Sequence, residues 1–233
     1  MMTRKVYIIG GNDEYISMFE SEGWKVVYDL LDADMLQFTG GEDVTPSIYG
    51  EKAHPTTDNN IERDLRERLI FNVAYKQGLP MAGICRGGQF LNVMCGGSLW
   101  QNVDGHGRAH IATDTITGEN FNVTSTHHQM MVPALNGAEV VVEAQCSTYR
   151  EHVPHNNSIK IFDDKMVDIE AVYYEKFNVF CFQPHPEFYG QEDLKFRYMD
   201  YLEIYLFDYA YDTSYFYICV STDAWQRVAT ASW

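Results

Sequence analysis

The sequence predicts an α/β fold, in which a parallel sheet covered by helices on both faces is followed by a β-rich portion. Two patterns predict this fold. Short, β-branched apolar runs alternate with helix-like stretches through the first half of the chain, the order that produces parallel sheets. In the second half, apolar runs follow one another with few helical signals between them. The 233 residues suit one large domain or a tight pair of small ones.

Each element of the first half is predicted from the spacing of apolar residues and from the residues that interrupt it. Apolar runs that end at a turn predict strands, and apolar residues three or four apart among charged ones predict helices. The clearest helix has Leu65, Leu69 and Val73 at helical spacing and ends at Gly78. In chain order, the predicted strands are Lys5–Ile9, Trp24–Leu30, Met35–Thr39 and Pro80–Cys85, and the helices are Tyr15–Glu22, Ile61–Gln77 and Gly87–Cys95.

The second half is predicted to contain five strands and one closing helix. The helix, Gln191–Tyr209, carries acidic residues in its first turn, where the helix dipole favours them. The last stretch, Asp212–Trp233, is rich in Tyr, Ser and Thr, and its pattern leaves an extra strand, a dimer arm and a loose tail open. The predicted strands are Phe121–Thr126, Ala138–Ala144, Ser158–Phe162, Ile169–Tyr174 and Asn178–Gln183.

Composition and charge argue against several classes of protein. The net charge of −16 repels phosphate groups, so neither nucleic acid nor an anionic membrane surface is expected as a partner. No apolar run reaches the roughly 18 residues of a membrane span, and the apolar run at the start is too short for a signal peptide, so we expect a cytoplasmic protein. Five cysteines without a CxxC pair argue against a disulfide framework and a zinc site.

Cys85 is the candidate nucleophile, because it sits in the segment Gly83–Gly87 (GICRG) between a predicted buried strand and a helix. This is a cysteine version of the nucleophile elbow, a sharp turn that lifts the reactive side chain above the sheet. The helix that follows favours the thiolate form, and the backbone N–H of Arg86 is placed to bind an oxyanion. The alternative is a small buried hydrophobic residue, which is how we interpret the other four cysteines.

His185 is the candidate base, and Glu187 is the residue that would orient it. His185 directly follows a predicted strand, in the segment Gln183–Glu187 (QPHPE), and α/β sheets hold their sites at such strand ends. The carboxylate of Glu187 can hold Nδ1–H and leave Nε2 free for a sulfur atom. Taken alone, this segment is as consistent with an ordinary surface loop.

The other histidines carry weaker signals. His127 and His128 lack an obvious third metal ligand, and we expect one of them to line the pocket and the other to be exposed. For His54, His106, His110, His152 and His155, solvated loops are the default expectation.

The pair Gly40-Gly41 follows the third predicted strand and could turn backbone N–H groups inward to bind an oxyanion or a carboxylate. Most glycine pairs are simply turns. This one gains weight because its strand is predicted to lie in the same sheet as the elbow.

Three segments together resemble the class I glutamine amidotransferase superfamily, and most closely its γ-glutamyl hydrolase branch, the γ-glutamyl-γ-aminobutyrate hydrolase-like peptidases. They are residues 39–51 (TGGEDVTPSIYGE), 83–93 (GICRGGQFLNV) and 183–187 (QPHPE). The resemblance extends over residues 5–207. Two departures stand out: Pro184 replaces the usual aromatic residue, and His128 stands where glycine is common.

The resemblance implies a flavodoxin-like, mostly parallel central sheet flanked by helices, with an added β-rich portion, in a domain over residues 1–210. Residues 211–233 would be a C-terminal extension of unknown role. The implied roles follow the matched positions, with no metal and no cofactor. They are Cys85 as nucleophile, His185 as general base and acid, Glu187 as its orienter, Gly41 and Arg86 as backbone oxyanion donors, and Gly40, Gln89 and His127 as substrate contacts.

Three functions are open at this point. The first is hydrolysis of a γ-glutamyl amide through a γ-glutamyl thioester, with the Arg86 guanidinium either binding the substrate α-carboxylate or simply solvated. The second is a glutaminase subunit that supplies ammonia to a separate synthetase or ligase. The ATP-binding segment GxxxxGK[ST] does not occur here, so the chemistry that accepts ammonia would need another chain. The third is a binding module without activity. A small γ-glutamyl substrate is the expected ligand, and an ammonia-accepting synthetase and a homodimer remain open as partners.

Overall fold

Strands dominate the fold of this computed structural model, which describes residues 3–154, 159–163 and 165–207 together with the backbone of 215–221 and 224–229. The helices are α1 (Asp13–Ser21), α2 (Ile61–Gln77), α3 (Arg86–Met94) and α4 (Glu192–Leu202). The strands are β1 (Lys5–Ile9), β2 (Lys25–Val27), β3 (Met35–Phe38), β4 (Met81–Ile84), β5 (Ser98–Trp100), β6 (Asn102–Val103), β7 (His110–Asp114), β8 (Asn120–Val123), β9 (Met130–Val132), β10 (Glu139–Ala144), β11 (Tyr149–His152), β12 (Ile159–Phe162), β13 (Asp168–Tyr174), β14 (Val179–Phe182), β15 (Tyr215–Ser221) and β16 (Ala224–Ala229).

A nine-stranded sheet forms the centre of the described part of the chain. Its order is β2-β1-β3-β4-β14-β13-β10-β7-β8. The first five strands run parallel, and the remaining ones pair antiparallel. The flavodoxin-like α/β fold with an added β-rich portion is therefore confirmed. The β-rich portion extends the same sheet, and three small sheets accompany it: β12-β11-β6, β5-β9 and β15-β16.

The register of three neighbouring parallel strands brings their carboxyl ends to one edge of the sheet. Phe38 of β3 pairs with Gly83 of β4, and Ile84 of β4 pairs with Phe182 of β14. The residues that follow these strands therefore emerge side by side, at the edge where α/β sheets bind ligands. The glycine pair, Cys85 and His185 all follow these strands.

Both faces of the sheet are covered, because successive strand residues point to opposite sides. On β14, Phe180 and Phe182 pack with Tyr198 of α4 on one face. Val179 and Cys181 belong to the apolar cluster on the other face. This burial on both sides accounts for the continuous apolar character of the parallel strands.

Helix α2 has the predicted bounds, but the apolar residues that predicted it face solvent and not the core. Leu65, Leu69 and Val73 are 50%, 68% and 44% exposed, and the buried face carries Asp64 and Glu67 instead. The same buried face carries Phe71 and Ala74, which belong to the apolar core, and both carboxylates bind the buried Arg86 guanidinium. Apolar packing and ion pairs therefore set this orientation together.

The closing helix ends earlier than predicted, and the tail adopts one of the forms that its sequence left open. Helix α4 ends at Leu202 and continues as a wider π-type turn over Glu203–Phe207. The tail contains the hairpin β15-β16, whose strands pair antiparallel. The predicted positions Ser158 and Tyr209 lie outside the described residues.

Within the described ranges, no helix combines the length and the apolar character that crossing a membrane requires.

Candidate active site

Cys85 occupies a strained turn between β4 and α3. Its φ and ψ are +51° and −115°, a conformation that non-glycine residues rarely adopt. Its backbone N–H donates to the carbonyl of Phe182 at 2.7 Å, and its carbonyl accepts from the N–H of Gln89 at 2.9 Å. The side chain is thereby held at the sheet edge, as in a nucleophile elbow.

The elbow can form only because glycines flank it. A Cβ added to Gly83 would lie 2.4 Å from the carbonyl carbon of Gly87. A Cβ added to Gly87 would lie 2.4 Å from the carbonyl oxygen of Phe38. Real Cβ atoms essentially never come so close to backbone atoms. The pattern GxCxG therefore reflects the close approach of α3 to β3 and β4.

We expect Gly87→Ala to lower the free energy of unfolding by at least the roughly 1–3 kcal/mol typical of overpacking, because the new methyl group meets rigid backbone. Urea unfolding measures this loss. Gly107→Ala is the matched control, since nothing lies within 4 Å of a Cβ added at Gly107. Equal stability of the two variants would contradict the close approach at the elbow.

His185 and Glu187 form the predicted pair. His185 Nδ1 lies 2.7 Å from Glu187 Oε1, and both side chains are buried. Phe188 stacks on the imidazole with ring centroids 4.3 Å apart, and the hydroxyl oxygen of Thr124 accepts from the backbone N–H of His185 at 2.7 Å. Since Nδ1 faces the carboxylate, Nε2 is left for the sulfur of Cys85.

The electrostatics of His185 depend on Cys85. Burial alone would lower the pKa of His185, but its interactions with Cys85 and with Glu187 raise this pKa to about 10. The imidazole is therefore protonated through the neutral range. An imidazolium beside the sulfur favours the thiolate, the form of cysteine that attacks carbonyls.

We expect Cys85→Ala to lower the pKa of His185 from about 10, because burial is then opposed by Glu187 alone. An NMR titration of the imidazole measures this change, with Cys146→Ala as a control that should leave the pKa at about 10. Because the pKa of His185 is raised on folding, the charged imidazolium contributes its full stabilisation of the fold below about pH 6.5. That contribution is lost as the pH rises through about 10. An unchanged pKa in Cys85→Ala would show that the sulfur does not act on His185.

Tyr15 of α1 is a site residue that our sequence reasoning missed. Its hydroxyl oxygen accepts from the backbone N–H of Gly40 at 3.0 Å and faces Glu187. Burial, followed by the charge of Glu187, raises the pKa of Tyr15 well above its usual value, so the phenol stays neutral. The available signal was its place just after the first strand, at the same edge of the sheet.

Arg63 of α2 fixes the glycine pair from the other side. Its guanidinium donates to the carbonyls of Thr39 and Gly40, each at 3.0 Å. Across a trans peptide bond the N–H points opposite to the C=O, so the N–H of Gly41 is directed away from Arg63. Gly41 has φ +136°, and a Cβ there would lie 2.2 Å from the guanidinium. Only glycine fits this position.

The glycine pair also lies next to Cys85 and His185. A Cβ added to Gly40 would lie 3.3 Å from Cε1 of His185 and 3.8 Å from Cβ of Cys85. A cleft of about 200 Å³ opens beside them, lined by Asn12, Tyr15, Gly40, Gly41, His185 and Glu187 among others. None of the described residues that line it is Lys or Arg.

The expectation that the Arg86 guanidinium binds substrate or is solvated is wrong. Its side chain is buried and forms ion pairs with Asp64 and Glu67. Both carboxylates lie on α2, so the guanidinium is bound within the protein. The backbone N–H of Arg86 is a separate matter: it belongs to the first residue of α3, where N–H groups have no partner within the helix.

Gln89 and His127 are both buried near the predicted site. The Gln89 amide donates to the carbonyl of Gln129 at 3.1 Å and to Oε1 of Gln183 at 3.2 Å. His127 lies with its Nδ1 2.8 Å from the same Gln129 carbonyl. Burial, followed by the charge of His106, lowers the pKa of His127 well below its usual value. Substrate contact by these two residues remains a proposal.

Several minor expectations are wrong. His54 and His106 are buried instead of lying in solvated loops, and His110 is half-buried on β7. His152 contacts Glu51, with Nδ1 2.7 Å from the carboxylate. In each case a buried or half-buried carboxylate binds the imidazole, a tertiary contact that loop composition does not reveal. Cys146 is partly exposed and is not a core thiol. His155 and the side chain of Cys219 lie outside the described residues.

Comparison with known proteins agrees with this geometry. Residues 16–187, which contain the elbow, the glycine pair, His185 and Glu187, match peptidase C26. The chain belongs to the peptidase C26 family. This places it in the class I glutamine amidotransferase-like superfamily, as the sequence resemblance implied.

Individual relatives of this C26 protein share parts of the chain. Protein NtpR of Enterococcus hirae is 44% identical over 71 residues, which are 30% of this chain and 30% of NtpR. The chain thus spans less than a third of NtpR. The glutamine amidotransferase-like protein YvdE homolog of Lactococcus lactis subsp. cremoris is 34% identical over 151 residues, 50% of this chain and 79% of that protein.

The solved structures share the fold of this C26 protein. A glutamine amidotransferase from Thermotoga maritima superposes with a TM-score of 0.56 over 88% of this chain and 85% of that chain, at 14% sequence identity. At this identity the likeness shows the fold alone.

Proposed function

We propose that this C26 protein hydrolyses γ-glutamyl amide bonds through a γ-glutamyl thioester on Cys85. The observation that carries the proposal is the arrangement of His185, which is held by Glu187 through Nδ1 and lies beside Cys85 and the glycine pair. A cysteine, a histidine and a carboxylate in series form the usual constellation for cysteine-dependent acyl transfer. The strained elbow and the cleft beside it support the same assignment.

The first half of the reaction uses the protonated form of His185. The Cys85 thiolate attacks the side-chain amide carbonyl of the substrate, and the backbone N–H groups of Gly41 and Arg86 stabilise the oxyanion. His185 then gives its proton to the leaving amine as the C–N bond breaks. A raised pKa of His185 suits this step, because the proton is present at neutral pH.

The second half of the reaction requires His185 to act as a general base. Once the sulfur is acylated, its charge is gone, and the pKa of His185 falls because Cys85 supplied part of the raising effect. The neutral imidazole can then remove a proton from water, which attacks the thioester carbonyl. The thioester breaks, glutamate leaves, and the sulfur and imidazole return to the starting pair. Glu187 holds the ring throughout.

The substrate α-carboxylate is bound locally without a cationic side chain from the cleft lining described above. Arg63 lies behind the glycine pair and Arg86 is buried in its ion pairs, so the donors left at the cleft are backbone N–H groups and neutral side chains such as the Asn12 amide. This arrangement suits one carboxylate in an otherwise acidic protein.

A panel of glutamine, γ-glutamyl amines and γ-glutamyl peptides, with released amine as the readout, tests the proposal. We expect turnover by the purified chain alone, with preference for one amine half. Hydrolysis of free glutamine only when a synthetase or ligase chain is added would favour the ammonia-supplying role. No turnover of any member, with or without such a chain, would contradict the hydrolase assignment.

A further inference from the structure

A second cluster of chemically active side chains lies away from the elbow, between β13 and the loop that leads into β7. His106 and Glu170 are fully buried there, and His110 is half-buried. One nitrogen of each imidazole and one carboxylate oxygen lie within 4.8 Å of one another. The hydrolytic mechanism proposed above does not use these three residues.

The hydrogen bonds of His110 leave a lone pair facing an oxygen atom. Its Nδ1 lies 3.3 Å from the carbonyl of Arg108, and its Nε2 lies 3.0 Å from Oε1 of Glu170. Both oxygens are acceptors, and a neutral imidazole has only one N–H to donate. Either neutral tautomer therefore places one nitrogen lone pair against an acceptor.

His106 has the same conflict. Its Nε2 lies 3.3 Å from Oδ2 of Asp168, and its Nδ1 lies 3.4 Å from Oε1 of Glu170. Ser125 approaches Nδ1 at 3.4 Å, but its hydroxyl donates to the backbone carbonyl of His106 at 2.6 Å. Among the described residues, no hydrogen-bond donor therefore faces the lone pair of this ring.

The two carboxylates differ in how they are compensated. Asp168 binds the Arg150 guanidinium at 2.7 Å and accepts from the hydroxyl of Ser147 and two backbone N–H groups. Glu170 contacts the two imidazoles, and its Oε2 is buried without a hydrogen-bond partner in the described part of the chain. A fully buried carboxylate requires a positive partner at close range.

We propose that His106, His110 and Glu170 bind a divalent transition-metal ion of the zinc class. Imidazole and carboxylate are ligands that such ions prefer. In this arrangement Nδ1 of His106, Nε2 of His110 and Glu170 face the ion. The outer nitrogens lie 3.3 Å from Asp168 and 3.3 Å from the Arg108 carbonyl, on the side where a metal-bound histidine commonly makes its second hydrogen bond. The ion would supply the positive partner that the buried Glu170 carboxylate requires.

The position of the site indicates a structural role. Glu170 lies on β13, His110 on β7 and His106 in the preceding loop, so the ion would tie that loop to the central sheet. His106 also stacks on His127, with ring centroids 4.7 Å apart, so the tie supports one wall of the pocket region. The alternative is that two protons on the imidazoles satisfy the same acceptors.

Metal titration of chelator-treated protein distinguishes a bound ion from doubly protonated imidazoles. We would use the Cys85→Ala variant as background, since a reactive thiol can itself bind metal, and follow Co²⁺ absorption and Zn²⁺ calorimetry. We expect one ion per chain and an increase in melting temperature on Zn²⁺ addition. His110→Ala and Glu170→Gln should each weaken binding by about 100-fold or more. His152→Ala, which removes an imidazole from a carboxylate elsewhere, should leave binding unchanged.

Stoichiometric binding that is unaffected by His110→Ala and Glu170→Gln, or no binding by the folded background protein, would overturn the proposal. If the two variants fail to fold, anomalous scattering from crystals of the background protein grown with Co²⁺ decides. A peak between the three ligand atoms supports the site, and a peak elsewhere or no peak overturns it. Each of these results is independent of hydrolytic activity.

Discussion

Replacing Cys85 by alanine will reduce the turnover of γ-glutamyl amides by several orders of magnitude. The substitution removes the only atom that can carry the γ-glutamyl group in the proposed mechanism, and the remaining oxyanion donors and binding contacts preserve little of the rate. The measurement is steady-state amine release under conditions that saturate the wild type. The loss should appear in kcat, because the cleft beside His185 and Glu187 stays intact.

Cys146→Ala is the control for this experiment. Cys146 is also a free and partly exposed thiol, but it follows strand β10 and lies outside the elbow. Its substitution should leave turnover within about twofold, since surface changes away from a site have small effects. A Cys85→Ala variant with near wild-type turnover would remove the sulfur from the mechanism.

Replacing Arg86 by alanine will lower the free energy of unfolding by about 3–5 kcal/mol. The guanidinium is buried between Asp64 and Glu67, and its loss leaves two buried carboxylates short of their principal cation. Asp64 would retain the backbone N–H of Thr45 and Glu67 would retain Arg63, which is not enough to compensate both charges. Urea unfolding followed by circular dichroism measures the change.

Arg68→Ala provides the comparison, because Arg68 lies on the exposed side of the same helix. We expect its effect to stay within about 0.5 kcal/mol. If the two variants were equally stable, the buried ion pairs between Arg86 of α3 and the carboxylates of α2 would not stabilise the fold. The pairing also predicts that Arg86→Lys is strongly destabilising, because one ammonium cannot reproduce the forked contacts to two carboxylates.

The candidate site could be predicted from the sequence because its residues follow strand ends. Apolar runs identified β3, β4 and β14, and parallel strands bring the residues after their carboxyl ends to one edge. The glycines around Cys85 marked the tight turn, and the structure shows the backbone contacts that require them. Local pattern and topology therefore agreed at this site.

The parts that were missed depend on tertiary contacts that leave no local pattern. The face that α2 buries contains Phe71 and Ala74 together with the Asp64 and Glu67 carboxylates that bind Arg86, and the stripe at Leu65 and Leu69 is exposed. A stripe at helical spacing predicts the helix but does not state which face is buried when a buried cation lies beneath it.

The histidine cluster was missed for a similar reason. His106 is buried and His110 is half-buried through contacts with Glu170 of β13, which comes 60 positions after His110. The mixed composition of β7 does not mark it as a strand. Tyr15 escaped because its role is a contact with Gly40 across the sheet edge. Such contacts become visible only once the strands are ordered.

Labelling with a glutamine-mimicking electrophile, such as a diazoketone analogue, tests the central claim most directly. The chain is incubated with the analogue, and the label is counted by intact mass and located by peptide mapping. We predict one label per chain, on the peptide that contains Cys85, with hydrolytic activity lost in proportion to labelling. Inactivation with the label on another residue, or undiminished turnover by a chain fully modified at Cys85, would contradict the account.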